Sequence, residues 1–257
     1  MTFSIAIAGK GGSGKTTTCA LILRELIQRR MTPILAVDAD GNANLHESMG
    51  LRPHETIGSV IDKFNGDKIN LPQGMNKGSY LRLRLSKAIA ESHGVDLISM
   101  GHGAGSGCYC YPNSILKEFI DALRPNYKFI VMDNEAGMEH LSRGTTDGID
   151  MLLIASDYSV KGIRTAARIR QMVDELKLDV KESSFILTRV PDALDGRVVE
   201  ELDTLGINPA AFIPRCAEIE RFDLEQQSLL DLPDTSPAAV VIAQLLKNIL
   251  ERTGRAA

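Results

Sequence analysis

The sequence of 257 residues is 44% hydrophobic and 24% charged, which is typical of a globular protein with a full apolar core. Its formal net charge of -4 at pH 7 argues against nucleic acid as a main partner. We expect no signal peptide, because the first strand begins almost at once, without a basic region, an apolar core and a cleavage site before it. We expect no membrane partner, because no stretch approaches the ~20 apolar residues that span a bilayer. Four cysteines in a chain of this length do not form a disulfide scaffold, so we expect a reduced, cytoplasmic protein.

Short apolar runs alternate with segments of helical periodicity along the chain. The sequence predicts strands at 3–8, 33–38, 95–100, 128–133, 151–156, 184–190 and 209–214. It predicts helices at 19–27, 56–64, 112–123, 161–176, 195–205 and 237–250. Residues 80–93 fit a strand and a helix equally well. This alternation predicts an α/β fold, in which residues 1–257 form a single domain around one doubly wound, mostly parallel sheet.

The turn after the first strand has the spacing of a phosphate-binding loop, and it is followed by a helix. Glycines let backbone N–H groups converge on phosphate oxygens, and the helix N-terminus adds the positive end of its dipole. Lys15 is then expected to reach the terminal phosphates, and the Thr16 hydroxyl to bind Mg²⁺. The predicted nucleotide contacts of this P-loop NTPase are Gly11, Gly12, Ser13, Gly14, Lys15, Thr16 and Thr17.

Two predicted strands end in aspartate, and the carboxyl ends of parallel strands meet at one edge of the sheet. Asp38 opens the polar segment Asp38-Ala39-Asp40, and Asp133 follows four apolar residues. An apolar strand that ends in aspartate, such as the strand at 128–133, fits the second motif of nucleotide-binding proteins. Asp133 is therefore expected to bind Mg²⁺, partly through water. Buried strands also end in aspartate for turns and helix caps, which is the alternative for Asp133 taken alone.

A pair of cysteines, Cys108 and Cys110, lies in a glycine-rich segment after the strand at 95–100. Residues two apart in an extended chain face the same side, so both sulfurs can point at one object. A direct disulfide at this spacing is awkward, and metal binding therefore competes with redox chemistry and with a pair of buried apolar side chains. A two-fold dimer would supply four thiolates, which suit Zn²⁺ in tetrahedral geometry or Ni²⁺ in a geometry with some planarity.

The phosphate loop resembles the deviant form with the pattern K-G-G-x-G-K-[ST], whose signature lysine is matched by Lys10. The resemblance implies that nucleotide binding dimerises two subunits face to face and that Lys10 reaches the partner's phosphates. Asp38 and Asp40 resemble the switch I pair of the same family. Asp38 would then order the Mg²⁺ shell, and Asp40 would orient or deprotonate the attacking water. The implied catalytic residues are Lys10, Lys15 and Asp40.

Together, the deviant loop, Asp38-Ala39-Asp40, the Cys-x-Cys pair and the segment 133–140 resemble the CooC-type accessory ATPases over nearly the whole chain. The resemblance implies an ATP-dependent metallochaperone. Its Cys108 and Cys110 would bind Ni²⁺, or Zn²⁺, across an ATP- or ADP-promoted homodimer. ATP hydrolysis would insert nickel into carbon monoxide dehydrogenase or acetyl-CoA synthase. By position in the family, the adenine contacts would be Thr188, Arg189, Pro214 and Arg215.

Two other functions share the phosphate loop. The nitrogenase iron protein is an electron donor with separated cysteines around a [4Fe–4S] cluster, whereas this sequence has no cysteine near Asp133. A MinD- or ParA-type nucleotide switch is the second alternative, with the helix at 237–250 as a membrane anchor. The polar face of that helix is weakly basic, which favours packing against the sheet.

Overall fold

The computed structural model describes residues 1–52, 55–66, 73–101, 118–135 and 148–255. Its strands are β1 Phe3–Gly9, β2 Ile34–Asp38, β3 Ala90–Glu91, β4 Val95–Ser99, β5 Phe129–Asp133, β6 Ile149–Asp157, β7 Val180–Val190 and β8 Pro209–Pro214. Its helices are α1 Lys15–Gln28, α2 Leu45–Ser48, α3 Ile57–Gly66, α4 Lys77–Lys87, α5 118–123, α6 Val160–Glu175, α7 Gly196–Thr204, α8 Ala217–Leu224 and α9 Pro237–Arg252.

The strands form one sheet in the order β3-β4-β2-β5-β1-β6-β7-β8. Neighbouring strands run parallel, except that β3 lies antiparallel to β4 at the edge. The central strands β1, β2 and β5 are buried along their whole length because helices cover both faces. The predicted doubly wound, mostly parallel α/β fold is therefore confirmed.

Among the described residues, the two largest apolar clusters lie on opposite faces of the sheet, between the sheet and its helices. One cluster joins α1 and α9 to the face that carries Ile5, Ala36 and Val131. The other joins α3, α4 and α6 to the opposite face. Seven buried residues of α9 belong to the first cluster, so the apolar face of this helix packs against the sheet and α1. That packing supports the core interpretation of the helix over the membrane-anchor alternative.

Several boundaries differ from the sequence prediction. The ambiguous residues 80–93 contain most of α4 and the two-residue strand β3. β7 begins at residue 180, whereas the sequence predicted a start at residue 184. The first half of β7 is polar and pairs with β6 through backbone groups, so no apolar pattern in the sequence marks it as a strand. The sequence did not predict the short helices α2 and α8. Of the helix predicted at 112–123, residues 118–123 are helical and the others lie outside the described residues.

Candidate functional site

The phosphate loop connects the end of β1 to the start of α1. A Cβ atom at Gly9 would lie 2.3 Å from the backbone oxygen of Ala155, so glycine is required where the loop leaves the sheet. Gly14 has a φ of 78°, a left-handed conformation that favours glycine, and directly precedes α1. The first bond of the helix runs from the Thr18 N–H to the Gly14 carbonyl at 2.9 Å. The preceding N–H groups of α1 are therefore available to an anion.

The end of β7 holds this loop in place. The Thr188 hydroxyl is buried and donates to the Ser13 carbonyl at 2.9 Å, and it lies 3.3 Å from the Ser156 carbonyl. Arg189 has a φ of 54°, and its guanidinium donates to the Gly12 carbonyl. The structure thus gives both residues contacts to the loop backbone, and the predicted contact of each with adenine stays a prediction.

The two lysines of the loop differ in environment. Lys15 is only 7% exposed, and its ammonium group donates to the Lys10 carbonyl at 3.4 Å. The Lys10 side chain is exposed, and within the described part of the chain it forms no hydrogen bond or ion pair. Lys15 is therefore positioned over its own loop, whereas Lys10 is directed to the surface, and its predicted contact with a partner's phosphates stays a prediction.

Asp38 and Asp133 lie side by side at the carboxyl ends of β2 and β5, where they are register partners. Both are buried. The Thr16 hydroxyl donates to Asp133 Oδ2 at 2.5 Å, which joins the start of α1 to this pair. Asp38 accepts the backbone N–H groups of Asp40 at 3.1 Å and Leu45 at 2.8 Å. The structure thus brings together the three predicted Mg²⁺ residues.

The electrostatics of this pair fit a cation. Burial raises the pKa of Asp38 from 3.8 to about 6, against the opposing effect of its two backbone hydrogen bonds. Burial, with the nearby charge of Asp38, raises the pKa of Asp133 from 3.8 to about 7. Asp133 Oδ1 is buried without a hydrogen-bond partner among the described residues. Two carboxylates and a hydroxyl are hard oxygen ligands that suit Mg²⁺, so the residues fit this ion.

Asp40 begins the loop after β2 and is partly exposed. Its Oδ1 accepts the backbone N–H of Asn42 at 2.9 Å and the side-chain amide of Asn42 at 3.0 Å. These bonds form a local turn that fixes the carboxylate beside the phosphate loop. The catalytic role that the resemblance implies for Asp40 stays a prediction.

A cavity of about 570 Å³ opens beside the loop, within the size range of small-molecule sites. The predicted residues that line it are Gly11, Gly12, Gly14, Lys15, Thr16, Thr17, Asp40, Thr188, Arg189, Pro214 and Arg215. Sequence reasoning missed Thr18, Leu21, Asn42, Asn44, Glu135, Ile213, Ile219 and Glu220, which line the cavity together with Cys216. A larger cleft of about 790 Å³ lies beside α6 and the first half of β7, and it contains none of the predicted site residues.

No sequence motif marks the apolar residues of the cavity wall, which is why sequence reasoning missed them. Leu21 and Ile219 lie on α1 and α8 at positions that read as ordinary core positions of a helix. Cys216, which follows Arg215, is buried with its sulfur 3.3 Å from the Ser236 hydroxyl. Side chains of this kind offer an apolar surface that suits the face of a purine ring.

The Cys108 and Cys110 pair lies outside the described residues, so its predicted metal site is neither supported nor contradicted by the geometry. Within the described ranges, no group of three or more His, Cys, Asp or Glu side chains could hold a metal ion. Among those same residues, no helix is long and apolar enough to cross a membrane.

Comparison with known proteins identifies the family. Residues 4–229 match the family described as the CobQ/CobB/MinD/ParA nucleotide binding domain. The chain belongs to this family. A relative in Methanocaldococcus jannaschii, described as an uncharacterized ATP-binding protein, is 34% identical to this chain over 250 residues. The aligned residues cover 96% of this chain and 98% of the relative.

Two further proteins are similar to this chain, one in sequence and one in fold. The carbon monoxide dehydrogenase accessory protein CooC of Rhodospirillum rubrum is 28% identical over 264 residues, which cover 97% of each chain. The solved structure of the septum site-determining protein MinD of Pyrococcus horikoshii, complexed with Mg-ADP, has a TM-score of 0.68 at 21% identity. It covers 100% of this chain and 99% of that chain. At that identity the structure shows a shared fold, which agrees with the sheet and loop described above.

Proposed function

We propose that this chain is a Mg²⁺-dependent ATPase whose nucleotide binds in the cavity beside the phosphate loop. The observation that carries the proposal is the contact of the partly buried Thr16 with the buried pair Asp133 and Asp38 next to the N-terminus of α1. These three residues would hold Mg²⁺, which supplies positive charge that neutralises the phosphates as the γ-phosphoryl group transfers. The Mg-ADP complex of the Pyrococcus horikoshii relative supports the same choice of ligand.

The residues of the loop divide the remaining work. The backbone N–H groups at the start of α1 bind phosphate oxygens, and Lys15 contributes its ammonium group. Asp40 orients the attacking water from the loop after β2. Lys10, which is exposed, reaches the nucleotide of a second subunit in a homodimer. Adenine lies against the apolar wall of the cavity, between Thr188-Arg189 and Pro214-Arg215.

The cargo of this ATPase is a metal ion held by Cys108 and Cys110. In a homodimer the two pairs would supply four thiolates, and we propose Ni²⁺ as the ion, with Zn²⁺ as the other candidate. The resemblance to the accessory protein CooC over 97% of both chains supports carbon monoxide dehydrogenase or acetyl-CoA synthase as the client. On this proposal residues 1–257 form a single domain, the protein is cytoplasmic, and neither nucleic acid nor membrane is a partner.

The test is an anaerobic Ni²⁺ titration of the reduced protein with no nucleotide, with ADP and with ATP, while the oligomeric mass is measured. The proposal predicts one nickel per nucleotide-bound dimer and its loss in Cys108→Ser and Cys110→Ser. Cys19→Ala is the matched control, because Cys19 is buried in α1 and should leave the stoichiometry unchanged. Unchanged nickel in both loop variants would refute the metal site.

Two other results would identify the alternatives. Iron and labile sulfide in the purified protein would indicate an electron donor like the nitrogenase iron protein. Nucleotide-dependent dimers without any cysteine-dependent metal would indicate a switch of the MinD or ParA type, which the fold shared with the Pyrococcus horikoshii protein favours as the second candidate.

A further inference from the structure

Ser99 is the last residue of β4, and its side-chain hydroxyl forms no hydrogen bond with the described part of the sheet. The residue is 1% exposed, and Oγ has no hydrogen-bond partner among the described residues. The preceding inward positions of the same strand, Val95 and Leu97, are apolar and belong to the core. A buried hydroxyl without a partner is rare because it loses its bonds to water and gains none. Such a group suggests a partner that forms in another state of the protein.

The sheet places Ser99 next to the proposed Mg²⁺ site. Ser99 is the register partner of Asp38, which is in turn the register partner of Asp133. Register partners in parallel strands project to the same face, and neighbouring strands lie ~4.8 Å apart. The face is that of α1, since Val95 and Leu97 share one cluster with Ile34 and Ala36 of β2 and with residues of α1. The row of buried polar side chains therefore has three members along the strand ends.

The backbone keeps this spacing fixed. The Met100 N–H donates to the Asp38 carbonyl at 2.7 Å, directly after the last residue of β4. Rotation about χ1 moves the Ser99 hydroxyl between staggered positions without any movement of the strand. Each oxygen of the Asp38 carboxylate accepts one backbone N–H and retains further acceptor capacity. A hydroxyl donor from β4 can therefore reach Asp38 by side-chain rotation alone.

We propose that Ser99 is a positioning residue of the Mg²⁺ site, whose hydroxyl donates to the Asp38 carboxylate when Mg²⁺ and nucleotide bind. A donor at this place favours the charged form of Asp38 and fixes its orientation toward the ion. Ser99 does not contact nucleotide and takes no part in the chemistry. The inference rests on the proposed function, because it assumes that Asp38 serves a Mg²⁺–nucleotide complex.

The test compares full-length wild-type protein with Ser99→Ala and Ser99→Thr, which remove and keep the hydroxyl. Binding of a fluorescent ADP analogue is measured in EDTA and across a Mg²⁺ titration, and unfolding by urea is measured in EDTA. Ser99→Ala should raise the half-saturating Mg²⁺ concentration at least about tenfold, as for loss of a hydrogen bond to a charged group. Its ADP affinity in EDTA and its stability in EDTA should not fall, and Ser99→Thr should restore the Mg²⁺ dependence.

Ser4→Ala is the matched control. Ser4 is a buried serine at the amino end of the central strand β1, away from the strand ends that carry Asp38 and Asp133, and its hydroxyl donates to the Gly148 carbonyl at 2.9 Å. This variant should lose stability and keep the wild-type Mg²⁺ dependence. An unchanged Mg²⁺ dependence in Ser99→Ala, or an equal loss of ADP affinity in EDTA, would overturn the role of Ser99 while leaving the proposed function intact. A wild-type protein whose ADP binding ignores Mg²⁺ would overturn both.

Discussion

Asp133→Asn should stabilise the protein at alkaline pH in the absence of nucleotide and metal. The pKa of this carboxyl is raised from 3.8 to about 7, first by burial and then by the charge of Asp38. The native state therefore holds the proton more tightly than the unfolded chain does, and the free energy of unfolding falls as the pH rises between these values. The change corresponds to about 4 kcal/mol once the pH exceeds 7.

Asparagine is neutral at every pH and keeps an oxygen that can accept the Thr16 hydroxyl. The advantage of the variant over wild type should therefore grow by about 4 kcal/mol between pH 4 and pH 8. The assay is urea unfolding in EDTA at several pH values, with the exposed residue Asp192 changed to asparagine as the control. A difference between variant and wild type that does not change with pH would refute the reasoning.

The same variant tests the site. Wild-type protein should gain stability from Mg²⁺ and ADP by mass action, because the ligand binds only the native state. Asp133→Asn should gain little from Mg²⁺ beyond its gain from ADP in EDTA, since a neutral amide replaces a carboxylate ligand. A full response to Mg²⁺ in this variant would remove Asp133 from the proposed metal shell.

Three further changes test the loop. Lys10→Gln should lower ATP turnover at least about 100-fold with little change in ADP affinity, because the exposed ammonium group acts on the partner's nucleotide; turnover equal to wild type would exclude that role. Thr188→Val should lower the free energy of unfolding in urea by about 1 kcal/mol and weaken ADP binding, because the Ser13 carbonyl loses its hydrogen-bond donor. Thr188→Ser keeps the hydroxyl and should therefore retain wild-type stability and ADP affinity. Gly9→Ala should destabilise the protein by about 3 kcal/mol, because the new Cβ would overlap the Ala155 oxygen; wild-type stability would contradict that geometry.

The alternation of apolar strands and amphipathic helices was enough to predict the sheet and the position of the phosphate loop. It was enough because β1, β2 and β5 are buried on both faces and therefore consist almost entirely of apolar residues. The polar first half of β7 and the four-residue helix α2 could not be predicted in this way. Backbone pairing specifies the first, and a single buried side chain, Leu45, anchors the second.

The residues of the candidate site also fall into those that a local pattern predicts and those that it does not. Residues that belong to a contiguous motif, such as Lys15 and Thr16, could be predicted from spacing. The placement of Asp38 and Asp133 at one edge also followed from the rule that the carboxyl ends of parallel strands meet there, whereas their direct pairing depends on β2 being next to β5. The bond from Thr188 to the loop joins residues 175 positions apart. Contacts of this kind depend on strand order and register, which no local pattern contains.

The arrangement of strand ends also indicates how the proposed Mg²⁺–nucleotide complex would stabilise the native fold. Burial raises the pKa values of both Asp38 and Asp133, and the charge of Asp38 raises the pKa of Asp133 further, so the folded chain holds these two carboxylates at a cost in free energy. A bound cation relieves that cost, and the relief is available only in the native arrangement of β2, β5 and α1. This part of the chain would be the same in a metallochaperone and in a MinD- or ParA-type switch. An assay of ATP hydrolysis therefore does not distinguish the two functions, whereas an assay of cysteine-dependent nickel binding does.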